Sequence, residues 1–192
     1  MPLQTKAHFT PEEYLALERK AEYKSEYFAG EIFAMSGASE RHNLIVTNIV
    51  RELSLQLKRR PCKVYPSDMR VKVSPTGLYT YPDVVVVCGE ARFEDAHMDT
   101  LLNPTVIIEV LSESTEAYDR GRKFEHYRTL ASLSDYLLIA QDRPRIEHYV
   151  RQPERRWLLA ETNHLADTIS IVSIHCDLAL TEVYDKVENI RG

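Results

Sequence analysis

Two short aliphatic runs constrain the fold of this chain more than any other feature. Val84–Val87 is four valines in succession, and Val106–Val110 is apolar except for Glu109. Runs that lack an alternation of polar and apolar residues are typical of strands covered on both faces. The chain is therefore predicted to contain a sheet with buried central strands, one of which carries a carboxylate.

Helix and turn signals surround these runs. Thr10 and Glu13 predict a capping box for a short first helix. A longer helix is predicted after Ser39, because five apolar residues recur at helical spacing: Val46, Ile49, Val50, Leu53 and Leu57. A third helix is predicted from about Tyr118 to Leu130. Hairpins and further strands are predicted in the ranges 26–33, 69–73, 136–140, 145–161 and 169–174.

This order of elements predicts the α/β class (an α+β mixed sheet), with a central mixed β-sheet flanked by helices. With 192 residues, the chain is expected to form a single domain over residues 1–192. The segment 178–187 has apolar positions that would either cover the core or serve an interface. The sequence thus leaves room for a homodimer.

Charge and cysteine content limit the classes of function. The net charge of -5 argues against strong nonspecific binding to nucleic acid, although a local basic face stays open. No stretch is long enough to span a bilayer, and no signal peptide is evident. Cys62, Cys88 and Cys176 lack a C-x-x-C spacing, so neither a thiolate zinc site nor a disulfide framework is expected. A cytoplasmic location fits this cysteine usage.

Two carboxylates carry the main chemical signal. Glu109 interrupts a buried run, where an ionised carboxylate costs several kcal/mol unless it is paired, protonated or bound to a metal. Asp83 follows Pro82 at the start of the other run. Oxygen ligands that converge from neighbouring strands suit Mg²⁺ or Mn²⁺. The alternatives are a turn role for Asp83 and a salt bridge from Glu109 to an arginine, for which Arg70 is a candidate.

The residues after Glu109 offer further candidates, each with a structural alternative. Ser112 begins a hydroxyl-rich loop suited to placing groups near a phosphate, although Ser114 or Thr115 would equally act as a helix cap. Lys123 lies four residues after Asp119, the spacing of an ordinary surface ion pair.

Two more residues are candidates for contact with substrate. His42, near the start of the long helix, would contact the site or form only a local hydrogen bond. Arg70 would neutralise Glu109 or touch phosphate. No helix-turn-helix, zinc finger or aromatic stacking motif is evident.

Several motifs resemble those of a known family. Pro82-Asp83 and Glu109-Val110-Leu111 look like the signature of the PD-(D/E)XK nuclease superfamily, except that Leu111 stands where a lysine is usual. The wider string is similar to the Uma2 (DUF820) family over about residues 9–150. The matching pieces are Phe9-Thr10-Pro11-Glu12-Glu13-Tyr14, Gly30-Glu31-Ile32, His42, Pro82-Asp83-Val84, Glu109-Val110-Leu111-Ser112, Ser114-Thr115, Asp119-Arg120-Gly121 and Lys123-Phe124.

The resemblance implies a restriction-endonuclease-like core and a set of roles. Asp83 and Glu109, with the backbone carbonyl of Val110, would hold Mg²⁺ or Mn²⁺. Lys123 would take the place of the missing strand lysine and assist the attacking water. The implied reaction is endonucleolytic hydrolysis of phosphodiester bonds in nucleic acid, with DNA favoured over RNA.

Two other functions stay open at this level. One is a catalytically inactive relative that kept the fold and binds nucleic acid or protein; it predicts little metal affinity, or an acid pair neutralised by Arg70 rather than by a cation. The other is hydrolysis of a small phosphate ester, which ranks last because the chain has no glycine-rich phosphate loop.

Overall fold

The computed structural model describes residues 8–188 and Ile190. Its helices are α1 Pro11–Glu18, α2 Glu40–Leu57, α3 Glu116–Tyr118, α4 Phe124–Tyr127 and α5 Leu180–Val183. Its strands are β1 Ser25–Phe28, β2 Glu31–Ala34, β3 Cys62–Pro66, β4 Arg70–Val73, β5 Leu78–Thr80, β6 Val84–Cys88, β7 Thr100–Leu101, β8 Val106–Val110, β9 Asp135–Ile139, β10 Ile146–Arg151, β11 Trp157–Thr162, β12 Thr168–Ile171 and β13 Cys176–Ala179.

A six-stranded mixed sheet forms the centre of the molecule. Its strand order is β11-β10-β9-β8-β6-β3, with β8 and β9 parallel and the other neighbours antiparallel. The aliphatic runs become β6 and β8 in the interior of this sheet, so the predicted mixed sheet with buried central strands is confirmed. A second sheet, with the order β2-β1-β5-β4-β7, was not predicted as a separate layer.

The two faces of the central sheet belong to different cores. Val84, Val86, Val106, Ile108 and Val110 pack with α2 and the C-terminal elements. The alternate positions Val85, Val87, Ile107 and Leu111 pack with the second sheet and α4. Because side chains alternate along a strand, Asp83 and Glu109 project from this second face.

The predicted starts of the first two helices and the predicted first hairpin are confirmed. Thr10 and Glu13 form the capping box of α1, and the Ser39 hydroxyl accepts a hydrogen bond from the His42 N–H at the start of α2. Ala29 and Gly30 join β1 to β2 with φ values of 50° and 86°. Two successive positive φ values are those of a type I′ hairpin turn, which glycine tolerates best.

The third predicted helix has an irregular centre. Helix α3 continues through a π-helical turn, Asp119–Lys123, into α4. The wider π turn brings Asp119 and Lys123 into the interior, where each is less than a tenth exposed. Turns of this kind often lie at functional sites.

The expectation that the cysteines form no disulfide is wrong. Cys62 and Cys88 are joined in a disulfide across the antiparallel neighbours β3 and β6, whereas Cys176 is free and buried. The sequence conceals this pair, because the two residues are 26 positions apart and only strand register brings them opposite each other.

The C-terminal segment covers the core. Leu178, Leu180, Val183, Tyr184 and Val187 pack on α2 and the first face of the central sheet. Of the two roles that the sequence left open, core packing is the one observed, so these side chains do not form an exposed interface. Within the described range, none of the helices is both long and apolar enough to cross a membrane.

Replacement of Leu178 by alanine tests this packing. Leu178 is fully buried, and its truncation should lower the free energy of unfolding by about 2–5 kcal/mol, measured by urea denaturation. Leu158 on β11 is 59% exposed and provides the matched control, with an expected change within about 0.5 kcal/mol. Equal effects of the two substitutions would contradict the assignment of the C-terminal segment to the core.

Candidate active site

Strand pairing brings the two predicted carboxylates together. In the antiparallel register of β6 and β8, Val84 lies opposite Ile108, which leaves Asp83 beside Glu109. The Asp83 Oδ2 atom accepts a hydrogen bond from the Val110 N–H at 2.7 Å. The Asp83 N–H donates to Glu109 Oε2 at 3.4 Å. Both acids are thus held by backbone contacts at one end of the paired interior strands β6 and β8.

Lys123 reaches this pair from the π-helical turn. Its Nζ atom lies 3.0 Å from Glu109 Oε1 and 3.4 Å from both Asp119 Oδ1 and Glu26 Oε1. The side chain is almost completely buried. The surface ion pair between Asp119 and Lys123 that spacing alone favoured is therefore a buried one, and it belongs to a larger cluster.

Neutral groups complete the surroundings of the acids. The Tyr127 hydroxyl donates to Glu109 Oε1 at 2.8 Å, and the Thr80 hydroxyl donates to Glu26 Oε1. Leu111, at the position where the superfamily usually has lysine, packs in the apolar core. The ammonium group of the site therefore comes from the helix and not from the strand.

Burial and the neighbouring charges both shift the pKa values of the ionisable groups in this cluster. Burial raises the pKa of Glu109 from 4.5 to about 8, an effect that Lys123 opposes and that Asp119 and Asp83 reinforce. Burial likewise raises the pKa of Asp119. Burial alone would lower the pKa of Lys123, but Glu109, Glu26 and Asp119 hold it well above its ordinary value. The cluster thus has more carboxylates than its one ammonium group can neutralise.

His42 contacts the site directly. The first turn of α2 places its Nε2 atom 3.1 Å from Asp83 Oδ2. Its Nδ1 atom is buried and has no hydrogen-bond partner among the described residues. His42 therefore contacts Asp83 rather than forming only the local hydrogen bond that was the alternative.

Ser112 lies on the cleft wall and organises its own loop. Its hydroxyl accepts from the Thr115 N–H at 3.2 Å and lies 2.9 Å from the Thr115 hydroxyl. Thr115, the residue before α3, makes no side-chain cap hydrogen bond. Thr115 therefore precedes α3 without capping it by its side chain, and the Ser112 hydroxyl instead closes the turn before the helix.

Arg70 lies outside the site, so the expectation that it neutralises Glu109 is wrong. Its guanidinium group pairs with Asp99 at 3.0 Å and donates to the Tyr81 hydroxyl and the Thr100 hydroxyl at 2.8 and 2.9 Å. The cause is its place on β4, in the second sheet, where it is buried among these partners. A basic residue near Asp83 in sequence need not be near it in space.

Besides Asp119 and Thr80, three contributing residues were not predicted as parts of the site. They are Glu26 on β1, Tyr127 on α4 and Gln141, whose amide donates to the Leu111 carbonyl at 2.7 Å and whose carbonyl accepts from the Ser39 hydroxyl at 2.6 Å. Glu26 was difficult to identify from the sequence, because a glutamate in a hairpin is common on protein surfaces and does not by itself indicate a buried site. Its partner Lys123 is 97 residues away in the chain.

The predicted site residues other than Arg70 line one large open cleft. The cleft has a volume of about 1710 Å³ and is lined by Asp83, Glu109, Val110, Lys123, His42 and Ser112, among others. All the predicted site residues except Arg70 thus meet in one concave surface. A cleft of this size admits an extended substrate.

The donor set is compatible with a hard divalent cation. The described residues contain no group of three or more His, Cys, Asp or Glu side chains arranged to hold a metal ion. However, Mg²⁺ is commonly bound by one or two carboxylates, with water and substrate oxygens completing the shell. Within the described residues Asp83 Oδ1 makes no hydrogen bond, since the contacts of that carboxylate use Oδ2. The excess of carboxylates over cationic groups also favours a cation here.

Comparison with solved structures defines the class of protein. The chain superposes on the crystal structure of a "putative nuclease belonging to DUF820" from Anabaena variabilis with a TM-score of 0.73 and 19% identity. The match covers 92% of this chain and 97% of that chain. At this identity the match shows a shared fold.

The chain belongs to the Uma2 family, whose description is "Putative restriction endonuclease" and whose profile matches residues 11–181. The predicted resemblance is thereby confirmed. Uncharacterized protein sll1609 of Synechocystis sp. is 41% identical over 161 residues, which cover 84% of this chain and 91% of that protein. Uncharacterized protein slr1290 of the same organism is 35% identical over 175 residues, which cover 91% and 90% respectively.

The raised pKa of Glu109 predicts a pH-dependent stability in the absence of divalent cations. Its carboxyl binds a proton more tightly in the folded chain than in the unfolded chain, where the ordinary value of 4.5 applies. The free energy of unfolding should therefore fall as the pH rises from about 4.5 through about 8, and this loss should be absent in Glu109→Gln. Urea denaturation in EDTA from about pH 4 to pH 9 measures the difference.

An exposed residue provides the control for this titration. Glu154 is more than three quarters exposed, and Glu154→Gln should follow the wild-type pH profile. A constant offset between Glu109→Gln and wild type across the window would show that Glu109 has an ordinary pKa and would contradict the prediction.

Proposed function

We propose that the chain is a Mg²⁺- or Mn²⁺-dependent endonuclease that hydrolyses phosphodiester bonds of nucleic acid, with DNA the favoured substrate. The observation that carries this proposal is the convergence of Asp83, Glu109 and the Lys123 ammonium group on the floor of one open cleft. Membership of the Uma2 family supports it.

Asp83 and Glu109, with the carbonyl of Val110, are the residues proposed to hold the cation. When bound, a divalent cation makes a coordinated water more acidic and stabilises negative charge on phosphate oxygens. The hydrogen bond from the Val110 N–H and the 3.1 Å contact with His42 Nε2 orient the Asp83 carboxylate in advance. Such preorganisation reduces the reorganisation needed during the reaction.

Lys123 is proposed to act on the substrate. Its ammonium group is fixed by three carboxylates and supplies positive charge where the phosphate gains negative charge. The same group would donate a hydrogen bond to orient the attacking water. Since the side chain is almost completely buried among its partners, its position is set before substrate arrives.

A catalytically inactive module that only binds nucleic acid or protein is the alternative. The absence of a preformed three-residue metal group within the described residues favours it. One of its two expected features, neutralisation of Glu109 by Arg70, is not found, because Arg70 pairs with Asp99. The other, little affinity for a metal, stays a prediction. A homodimer and a cytoplasmic location stay predictions.

Substitution of Asp83 by asparagine tests the proposed reaction. The variant keeps the shape of the side chain but removes the charge, and cleavage of plasmid, linear duplex DNA, single-stranded DNA or single-stranded RNA should fall by at least about 100-fold. Wild-type cleavage should require Mg²⁺ or Mn²⁺ and stop in EDTA. Gel electrophoresis of the products measures both effects.

Asp68 offers the matched control, since it lines the same cleft but is 88% exposed and, within the part of the chain that the structure describes, pairs only with Lys24. Asp68→Asn should cut at the wild-type rate. Equal results for wild type and Asp83→Asn on every substrate would reject the nuclease and favour the binding module.

A further inference from the structure

Two exposed aromatic side chains lie on the rim of the active-site cleft. Tyr23 is 80% exposed and Phe33 is 48% exposed, and both line the cavity that contains Asp83 and Lys123. Single exposed apolar residues are common on protein surfaces. Two large rings on one rim of a catalytic cleft offer a flat apolar surface to whatever enters it.

The hairpin of β1 and β2 connects these rings to the site. Phe33 lies directly opposite Glu26 in the antiparallel register, so both side chains project from the same face of the hairpin. Glu26 reaches the Lys123 ammonium group at 3.4 Å. Phe33 therefore lies on the strand next to Glu26, and its side chain projects from the same hairpin face as the carboxylate that contacts Lys123. Tyr23 precedes this hairpin, whose open end is closed by the hydrogen bond from the Met35 N–H to the Lys24 carbonyl at 3.0 Å.

A third ring lies deeper in the same cleft. Tyr118 is half-buried and lies on the wall, with the Lys123 Nζ atom 6.0 Å from the centre of its ring. Aromatic surface is thus present both on the cleft wall beside Lys123, at Tyr118, and on the rim, at Tyr23 and Phe33.

The charge of the cleft makes it a poor binding surface for a phosphate backbone. Among the described residues that line it, nine are Asp or Glu and only four are Lys or Arg. Lys24 is paired with Asp68 at 2.9 Å, and Lys123 is held by its three carboxylates. Binding through phosphates relies on free Lys and Arg side chains that displace counterions. This cleft offers few of them, so the attraction must have another source.

We infer that the cleft binds nucleic acid through unpaired bases that stack on Phe33 and Tyr23, so that the substrate is single-stranded or has an unpaired segment. The inference rests on the proposed function and specifies its substrate class. Bases in a duplex stack on each other, whereas those of a single strand can be displaced onto aromatic side chains. The sequence predicted no stacking motif, because these aromatics are brought to the cleft only by the hairpin.

Binding by stacking has two measurable consequences. The affinity for a single strand should depend only weakly on salt, because few counterions are released. Loss of the ring in Phe33→Ala or Tyr23→Ala should weaken binding about tenfold each, the order of magnitude contributed by one stacked base. Phe33→Tyr keeps the aromatic face and should bind as wild type does.

Fluorescence anisotropy with labelled oligonucleotides tests the inference. Single-stranded DNA, single-stranded RNA and duplex DNA of one sequence are titrated with intact protein, with Ca²⁺ in place of Mg²⁺, over a series of salt concentrations. Either single strand should bind at least about tenfold more tightly than the duplex, and the comparison of the two identifies the preferred strand. Leu158→Ala removes an exposed apolar side chain from β11, outside the cleft, and should leave binding unchanged.

Three results would overturn the inference: duplex bound as tightly as single strand, unchanged affinity in both Phe33→Ala and Tyr23→Ala, or a steep salt dependence. Thermal unfolding midpoints equal to that of wild type would show that the variants are folded. Metal-dependent cleavage without a role for the rings would leave the proposed nuclease standing and reject stacking. Ring-dependent binding of single strands without any cleavage would support stacking and reject the nuclease.

Discussion

The buried contact between Glu109 and Lys123 is the interaction on which the site depends. A carboxylate inside β8 would cost several kcal/mol if it were left unpaired. The Lys123 ammonium group and the Tyr127 hydroxyl meet it at 3.0 and 2.8 Å. Since both partners come from the helical segment 116–127, the pair also holds that segment against the central sheet. The same contact therefore stabilises the fold and forms the floor of the cleft.

The position of the cleft follows from the direction of two strands. Because β6 and β8 are antiparallel, the start of one and the end of the other lie at the same edge of the sheet. Asp83 and Glu109 occupy these ends, and the alternation of side chains points both toward the second sheet. That sheet contributes Glu26, which adds another carboxylate around Lys123. The cluster around Lys123 therefore has an excess of buried negative charge. Protonation of one carboxyl or binding of a cation would reduce this charge.

Much of the fold could be read from local signals. Uninterrupted aliphatic runs predict strands covered on both faces. Every side chain of such a run is apolar, so both faces of the strand need an apolar environment. The Thr10 capping box and the Ser39 cap depend on neighbours three residues away, so they too are visible in the sequence. Asp83 and Glu109 were identifiable because a carboxylate next to a buried strand conflicts with the hydrophobic effect. Such conflicts are confined to a few positions and mark them as candidates for function.

Pairings between distant residues were decided only by the tertiary structure. The sequence identified Arg70 as a partner for Glu109, but strand order placed it beside Asp99. It contained no sign that Cys62 and Cys88 form a disulfide or that Glu26 meets Lys123. Each of these contacts depends on strand register and on how two layers are stacked. Register is set by the summed packing of whole strands, whereas a sequence pattern reports only the environment of each residue in turn.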